Sequence, residues 1–151
     1  MADTTALTRD LVSIPSHEDE TAAGDHIEQW LRTQTDAAVR RDEHGNVIAR
    51  RGEGDTSLAL VGHHDVVPPA DEQTDDGEYV VEQRDGRLYG RGTADMKGAV
   101  AAAMCAFRDA DLSGEYELVF VSFVGEEIGG EGARAAIDDG FVPDYAIVGA
   151  E

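Results

Sequence analysis

The sequence is short of three things, and each shortage narrows what the chain can be. It has one cysteine, Cys105, so no intrachain disulfide is available. Cys105 sits in Ala101-Ala102-Ala103-Met104-Cys105-Ala106-Phe107, the setting of a buried helix face, and a core-packing role is expected for it. Lysine is nearly absent: of 12 basic residues only Lys97 is a lysine, against 32 acidic residues and a net charge of −20. That balance repels nucleic acid and anionic membrane surfaces, so neither is an expected partner. Long apolar runs are also missing. Met1-Ala2-Asp3-Thr4-Thr5 offers neither a positive region nor a hydrophobic stretch, so no signal peptide or membrane span is expected and the location is expected to be cytoplasmic.

The acids are interspersed with periodic apolar segments, which favours a folded domain over an acidic tail. Arginine in place of lysine on so acidic a surface fits a cytoplasm of high salt, where screening removes the self-repulsion; an ordinary acidic protein is the alternative. There is no internal repeat and no low-complexity linker. The 151 residues suffice for one compact domain with a core.

What is present converges on three tips. Leu58-Ala59-Leu60-Val61 reads as a buried strand running into Gly62-His63-His64-Asp65-Val66-Val67-Pro68-Pro69, where the prolines cannot continue a ladder. Gly90-Arg91-Gly92-Thr93-Ala94-Asp95-Met96-Lys97-Gly98 is a glycine-punctuated loop opening a helix. Residues 119–124 form an apolar strand that ends in Gly125-Glu126-Glu127-Ile128-Gly129-Gly130. Asp95 follows His63 by 32 residues and Glu127 follows Asp95 by 32, room for one excursion each, so the tips can meet. Imidazoles and carboxylates gathered at one point repel each other without a cation among them. Mixed nitrogen and oxygen donors suit zinc, and also manganese or cobalt.

The rest of the chain reads as scaffold. A short amphipathic helix over 6–14 stops at Pro15, and residues 16–20 supply caps and acids for a second helix over 20–33. Residues 39–51 form a hairpin turning at His44-Gly45-Asn46; His44 needs no chemistry there, and His17 and His26 are expected to be exposed polar positions. A solvated acidic loop spans 70–78, and a second hairpin turns at Asp85-Gly86 between arms 79–83 and 87–89. A helix over 96–110, a strand over 115–124, a helix over 131–138 and a last strand over 145–148 follow. Strands alternating with helices give an α/β fold of three layers, α/β/α.

The three motifs resemble those of the zinc-dependent deacylase and peptidase family that contains succinyl-diaminopimelate desuccinylase, acetylornithine deacetylase and aminoacylase. Gly62-His63-His64-Asp65-Val66-Val67-Pro68 is similar to its Gly-His-x-Asp-Val-Val-Pro. Residues 90–98 match its Gly-Arg-Gly-x-x-Asp-Met-Lys-Gly at every fixed position, and Glu126-Glu127 resembles its paired glutamates. The resemblance implies a zinc-exopeptidase-like fold, incomplete at its C-terminal end, with residues 1–151 forming the N-terminal part of a catalytic domain. It implies two zinc ions, with cobalt or manganese as substitutes. His63 is then a terminal ligand, Asp95 bridges the two ions, Glu127 binds the second, and Glu126 is the general base. Asp65 orients the His63 imidazole, and Glu151 resembles the next ligand. His64, at the variable position, is expected to point away. The implied activity is removal of the acyl group from a small N-acyl amino acid. Succinyl-diaminopimelate is the first expectation, and acetylornithine deacetylase or a di- or aminopeptidase of the same family the alternative. The parent enzyme is expected to be a homodimer. The last metal ligand of the family comes from a further half of the catalytic domain, so this chain alone is expected to be inactive and to bind metal poorly; a truncated, non-catalytic metal- or partner-binding piece is the reading from another class.

Overall fold

The computed structural model describes residues 2–112 and 114–150. Helices α1 (Ala2–Ser13) and α2 (Thr21–Gln34) lead into a hairpin of β1 (Ala38–Arg41) and β2 (Val47–Arg51), then β3 (Thr56–His63). Two small ribbons follow, β4 (Thr74–Asp75) with β5 (Glu78–Tyr79), and β6 (Glu82–Arg84) with β7 (Arg87–Tyr89). Helix α3 (Gly98–Asp109), strand β8 (Tyr116–Phe123), helix α4 (Glu131–Asp138) and strand β9 (Tyr145–Val148) complete the order. No described helix is long and apolar enough to cross a membrane.

The main sheet runs β1-β2-β8-β3-β9. β8, β3 and β9 are parallel, with His63 opposite Phe123 and Val61 opposite Val148, whereas β1 and β2 are antiparallel. Period-two alternation splits the buried residues between the faces. Leu118 and Phe120 face a cluster with Leu7 and Leu11 of α1, Ile27 and Leu31 of α2, and Val100 and Met104 of α3. Val119, Val121 and Phe123 face Ala136 of α4 and Phe141. The three-layer α/β architecture is thus built by three helices on one face and one on the other.

The structure moves several boundaries. β3 extends to His63 because its parallel partner continues to Phe123. α3 starts at Gly98 instead of residue 96, because Asp95 (φ −125°, ψ 94°) and Met96 (φ −140°, ψ 29°) are non-helical. The acidic loop over 70–78 carries a short 3-10 turn and the β4–β5 ribbon, closed by Asp76 and Gly77 at φ 51° and 84°. Ser16 is buried and does not cap α2; Asp19 Oδ1 takes the Thr21 amide at 2.8 Å.

Candidate metal centre

Three segments meet where the parallel strands end. β3 delivers His63, the kinked segment before α3 delivers Asp95, and the turn after β8 carries Glu126 and Glu127. One ligand atom each from His63, Asp95 and Glu127 lies within 4.8 Å of the others. His63 Nε2 is 3.1 Å from Asp95 Oδ1 and 3.6 Å from Glu126 Oε2. The imidazole is 3% exposed while the Asp95 and Glu126 side chains are 60% and 54% exposed, so a buried nitrogen sits beneath an open rim of carboxylates.

His63 Nδ1 lies 3.0 Å from the Asp65 main-chain oxygen and 3.2 Å from its carboxylate. Both are acceptors, so Nδ1 keeps its proton in the neutral ring and Nε2 turns a lone pair toward Asp95. A lone pair facing a carboxylate at 3.1 Å is repulsive unless a proton or a cation lies between them. Burial alone would lower the imidazole, but the hydrogen bond and charge of Asp65, joined by Glu126, outweigh it and raise His63 to about 9. The Glu127 carboxyl is also raised, by burial first and then by the neighbouring Asp95 and Glu126. A divalent cation relieves the same crowding, and one imidazole with carboxylate oxygens is a donor set for zinc, cobalt or manganese. The residues present fit a metal.

Asp65 reaches beyond the histidine. Its two oxygens accept the main-chain N–H groups of Glu126 at 3.1 Å and Glu127 at 2.9 Å, so the carboxylate beside His63 also holds the turn of the paired glutamates. Burial would raise its pKa, but the hydrogen bond from His63 and these two amides hold the carboxyl below its ordinary range.

Residues 59–150 match the model of Peptidase family M20/M25/M40. Over 162 aligned positions the chain is 35% identical to succinyl-diaminopimelate desuccinylase of Acidiphilium cryptum, covering 98% of this chain. The chain belongs to peptidase family M20/M25/M40. It is also 38% identical over 106 residues to acetylornithine deacetylase of Proteus mirabilis, covering 69% of this chain. Among solved structures it superposes on an M20 family metallo-carboxypeptidase of Sulfolobus solfataricus with a TM-score of 0.81, at 16% identity over 100% of this chain and 38% of that one. Human carnosine dipeptidase 1 gives a TM-score of 0.77, at 22% identity over 97% of this chain and 38% of that one. At these identities the superpositions show the fold. The chain spans 42% of the desuccinylase and 27% of the deacetylase.

Within this M20 chain the motif residues have separable tasks. Met96 Sδ accepts the His63 main-chain N–H at 3.4 Å, joining the Asp95 segment to the strand that carries the histidine. Gly62 makes room for it, since a Cβ there would lie 2.9 Å from Val100 Cγ2 and 3.0 Å from Met96 Cε. Gly92 stands at φ 82°, and a Cβ there would meet Val66 Cγ1 at 2.5 Å. Lys97, the lone lysine, is fully buried: its Nζ donates to Ile14 O at 2.6 Å and lies 5.6 Å from the Tyr79 ring centre, and burial lowers it to about 8. It ties the Asp95 segment to the residue after α1.

The other histidines stand apart from this centre. His64 is buried with Nδ1 2.8 Å from Ser122 Oγ; burial first, then Arg41 and Lys97, lowers it to about 3, so its ring is neutral. His17 and His26 are half-buried instead of exposed; His17 Nδ1 lies 2.6 Å from the Tyr79 hydroxyl and its ring stacks on that of Tyr79. His44, with Glu43 and Asp139, forms an exposed group whose ligand atoms also lie within 4.8 Å of one another. Glu151 lies outside the described residues. Sequence reasoning missed Met96, Asn46 and Glu20. Asn46 and Glu20 bind the main chain of the paired-glutamate turn from 78 and 105 residues away. No local pattern marks such partners.

Proposed function

We propose that this M20 chain is the metal-binding part of an amidohydrolase that removes the acyl group from an N-acyl amino acid, with succinyl-diaminopimelate as the first substrate to test. The observation that carries the reading is the meeting of His63, Asp95 and Glu127 ligand atoms within 4.8 Å, beside Glu126. The 35% identity to a desuccinylase supports that substrate, and the 38% identity to an acetylornithine deacetylase supports acetylornithine as the second reading.

His63 would be a terminal ligand, Asp95 a bridging carboxylate and Glu127 a ligand of a second ion, zinc by preference and cobalt or manganese as substitutes. The bound ions would polarise the acyl carbonyl and make water nucleophilic near neutral pH. Glu126, half-exposed on the rim, would take a proton from the attacking water and pass it to the leaving nitrogen. Asp65 keeps Nδ1 of His63 protonated, so that Nε2 stays a donor to the cation. The acidic surface fits a cytoplasm of high salt, and the whole protein is proposed to work there as a homodimer. The chain alone is proposed to turn over poorly, since it spans 42% of the desuccinylase and positioning supplies much of an enzyme's barrier reduction.

The test is hydrolysis of succinyl-diaminopimelate, acetylornithine and a dipeptide by the full-length protein, with zinc or cobalt added. Glu126→Gln keeps the shape and removes the base, so turnover should fall by about 10² or more with metal content unchanged. Cleavage of the dipeptide alone would replace the deacylase reading with a peptidase.

A further inference from the structure

The turn after β8 is the most permissive piece of backbone at the centre, with Gly125, Gly129 and Gly130 at φ 65°, 119° and 75°. Glycines leave such a turn free to adopt many shapes. Yet Glu126 and Glu127 are adjacent and must hold different positions around one point. Something other than the chain's own stiffness has to fix them.

Four consecutive amides of this turn are each taken by a side chain from elsewhere in the molecule. Val124 N–H donates to Asn46 Oδ1 at 2.9 Å, and Gly125 N–H donates to Glu20 Oε1 at 3.2 Å. Glu126 and Glu127 N–H both donate to Asp65. Asp65 belongs to the metal motif; the other two do not. We propose that Glu20 and Asn46 are positioning residues, which hold the paired-glutamate turn so that Glu126 and Glu127 keep their places beside His63 and Asp95. This rests on the metal-centre reading above.

Glu20 breaks a local rule. It stands at the N-cap of α2, a place that favours the shorter Ser, Thr, Asp or Asn, and its side chain makes no bond to its own helix. Its carboxylate instead crosses to Gly125, 105 residues away. A charged acceptor strengthens that bond relative to a neutral one. Departure from the local preference of a helix terminus marks a residue whose position is set by another demand.

Asn46 is fully buried and committed at both ends of its amide. Its Nδ2 donates to Gly132 O at 2.9 Å and to Asp42 Oδ2 at 2.7 Å, which fixes the oxygen toward Val124. The fit is close: a Cβ on Gly132 would lie 2.4 Å from Asn46 Oδ1 and 2.5 Å from Val124 O. The turn is thus held from the hairpin side by Asn46, from α2 by Glu20 and from β3 by Asp65.

The decisive variant is Glu20→Ala, since Glu20 is only half-buried and its loss leaves the core untouched. In the metal-free chain, amide hydrogen exchange at Gly125, Glu126 and Glu127 should quicken about tenfold, the worth of one lost hydrogen bond, while Val119 and Val121 in β8 stay as they were. Cobalt affinity should fall about tenfold, as for other partners that hold metal ligands. Glu20→Gln retains the accepting oxygen without its charge and should restore most of both. Asn46→Ala should quicken Val124 and the same three amides by more than it quickens the β8 core. The proposal is overturned if Glu20→Ala changes neither exchange in the turn nor cobalt affinity, if the change spreads evenly over β8, or if Glu20→Gln is as damaging as Ala. If the parent chain takes up no cobalt, the metal reading fails, and exchange alone still decides whether these residues hold the turn.

Discussion

The tips of β3 and β8 and the outer edge of β9 belong to one sheet and are built in opposite ways. At the tips the polar groups are cross-linked: His64 N–H reaches Phe123 O at 3.2 Å, His64 Nδ1 meets Ser122, and Asp65 grips two amides of the next turn. At β9 every described side chain is exposed, with Tyr145, Ile147 and Val148 at 65%, 56% and 60%, beside Val142 at 77%. The first region gains precision from burial and satisfied hydrogen bonds. The second holds apolar side chains that the described residues leave exposed. The difference teaches that His63, Glu126 and Glu127 are held by side-chain cross-links between the ends of β3 and β8, of which the described residues of β9 make none.

The largest expected contrast is in stability. Phe120→Ala, at a fully buried position of β8, should cost about 3–5 kcal/mol by denaturant unfolding, whereas Ile147→Ala in β9 should stay within about 0.5 kcal/mol. Equal losses would erase the distinction between the two regions. Next in size, Asp65→Ala removes the acceptor of two amides and the partner of His63, so zinc affinity should drop roughly 10–100-fold. Isothermal titration measures it, and an unchanged affinity would mean that the tips hold themselves without Asp65.

A third contrast is in pH. His63 is raised from 6.5 to about 9 in the metal-free protein, so its protonated pairing with Asp65 and Glu126 stabilises the fold fully below about 6.5 and is lost as pH rises through about 9. Over the same window the proton competes with the cation, and metal affinity should climb with pH. His63→Gln should remove both trends, as unfolding midpoints and titrations across this range would show. The smallest expected effect is on the edge. Ile147→Lys should reduce self-association in sedimentation while leaving the unfolding midpoint within about 0.5 kcal/mol of the parent.

Much of this was readable from local pattern. Apolar periodicity marked α2, α4 and β9 closely, and Asp85-Gly86, with both residues at positive φ, set the β6–β7 turn. The meeting of His63, Asp95 and Glu127 was legible because imidazole and carboxylates stand where apolar strands and a glycine-rich loop end. The start of α3 was not, because Met96 leaves helical geometry to place its sulfur under His63, a tertiary demand that overrides helix preference. Glu20 looked like part of a helix cap and Asn46 like a turn residue. Their bonds to Gly125 and Val124 span 105 and 78 residues, and no window of sequence contains both partners.

The central claim is that His63, Asp95 and Glu127 form one divalent-metal centre. Cobalt titration of the metal-free chain, followed by its visible absorption, tests this most directly. The parent should bind cobalt, weakly, and develop ligand-field bands, and His63→Ala, Asp95→Ala and Glu127→Ala should each weaken binding further, by at least about tenfold. Uptake unchanged by all three substitutions but abolished by His44→Ala would place the ion at the exposed Glu43, His44 and Asp139 group and contradict the account.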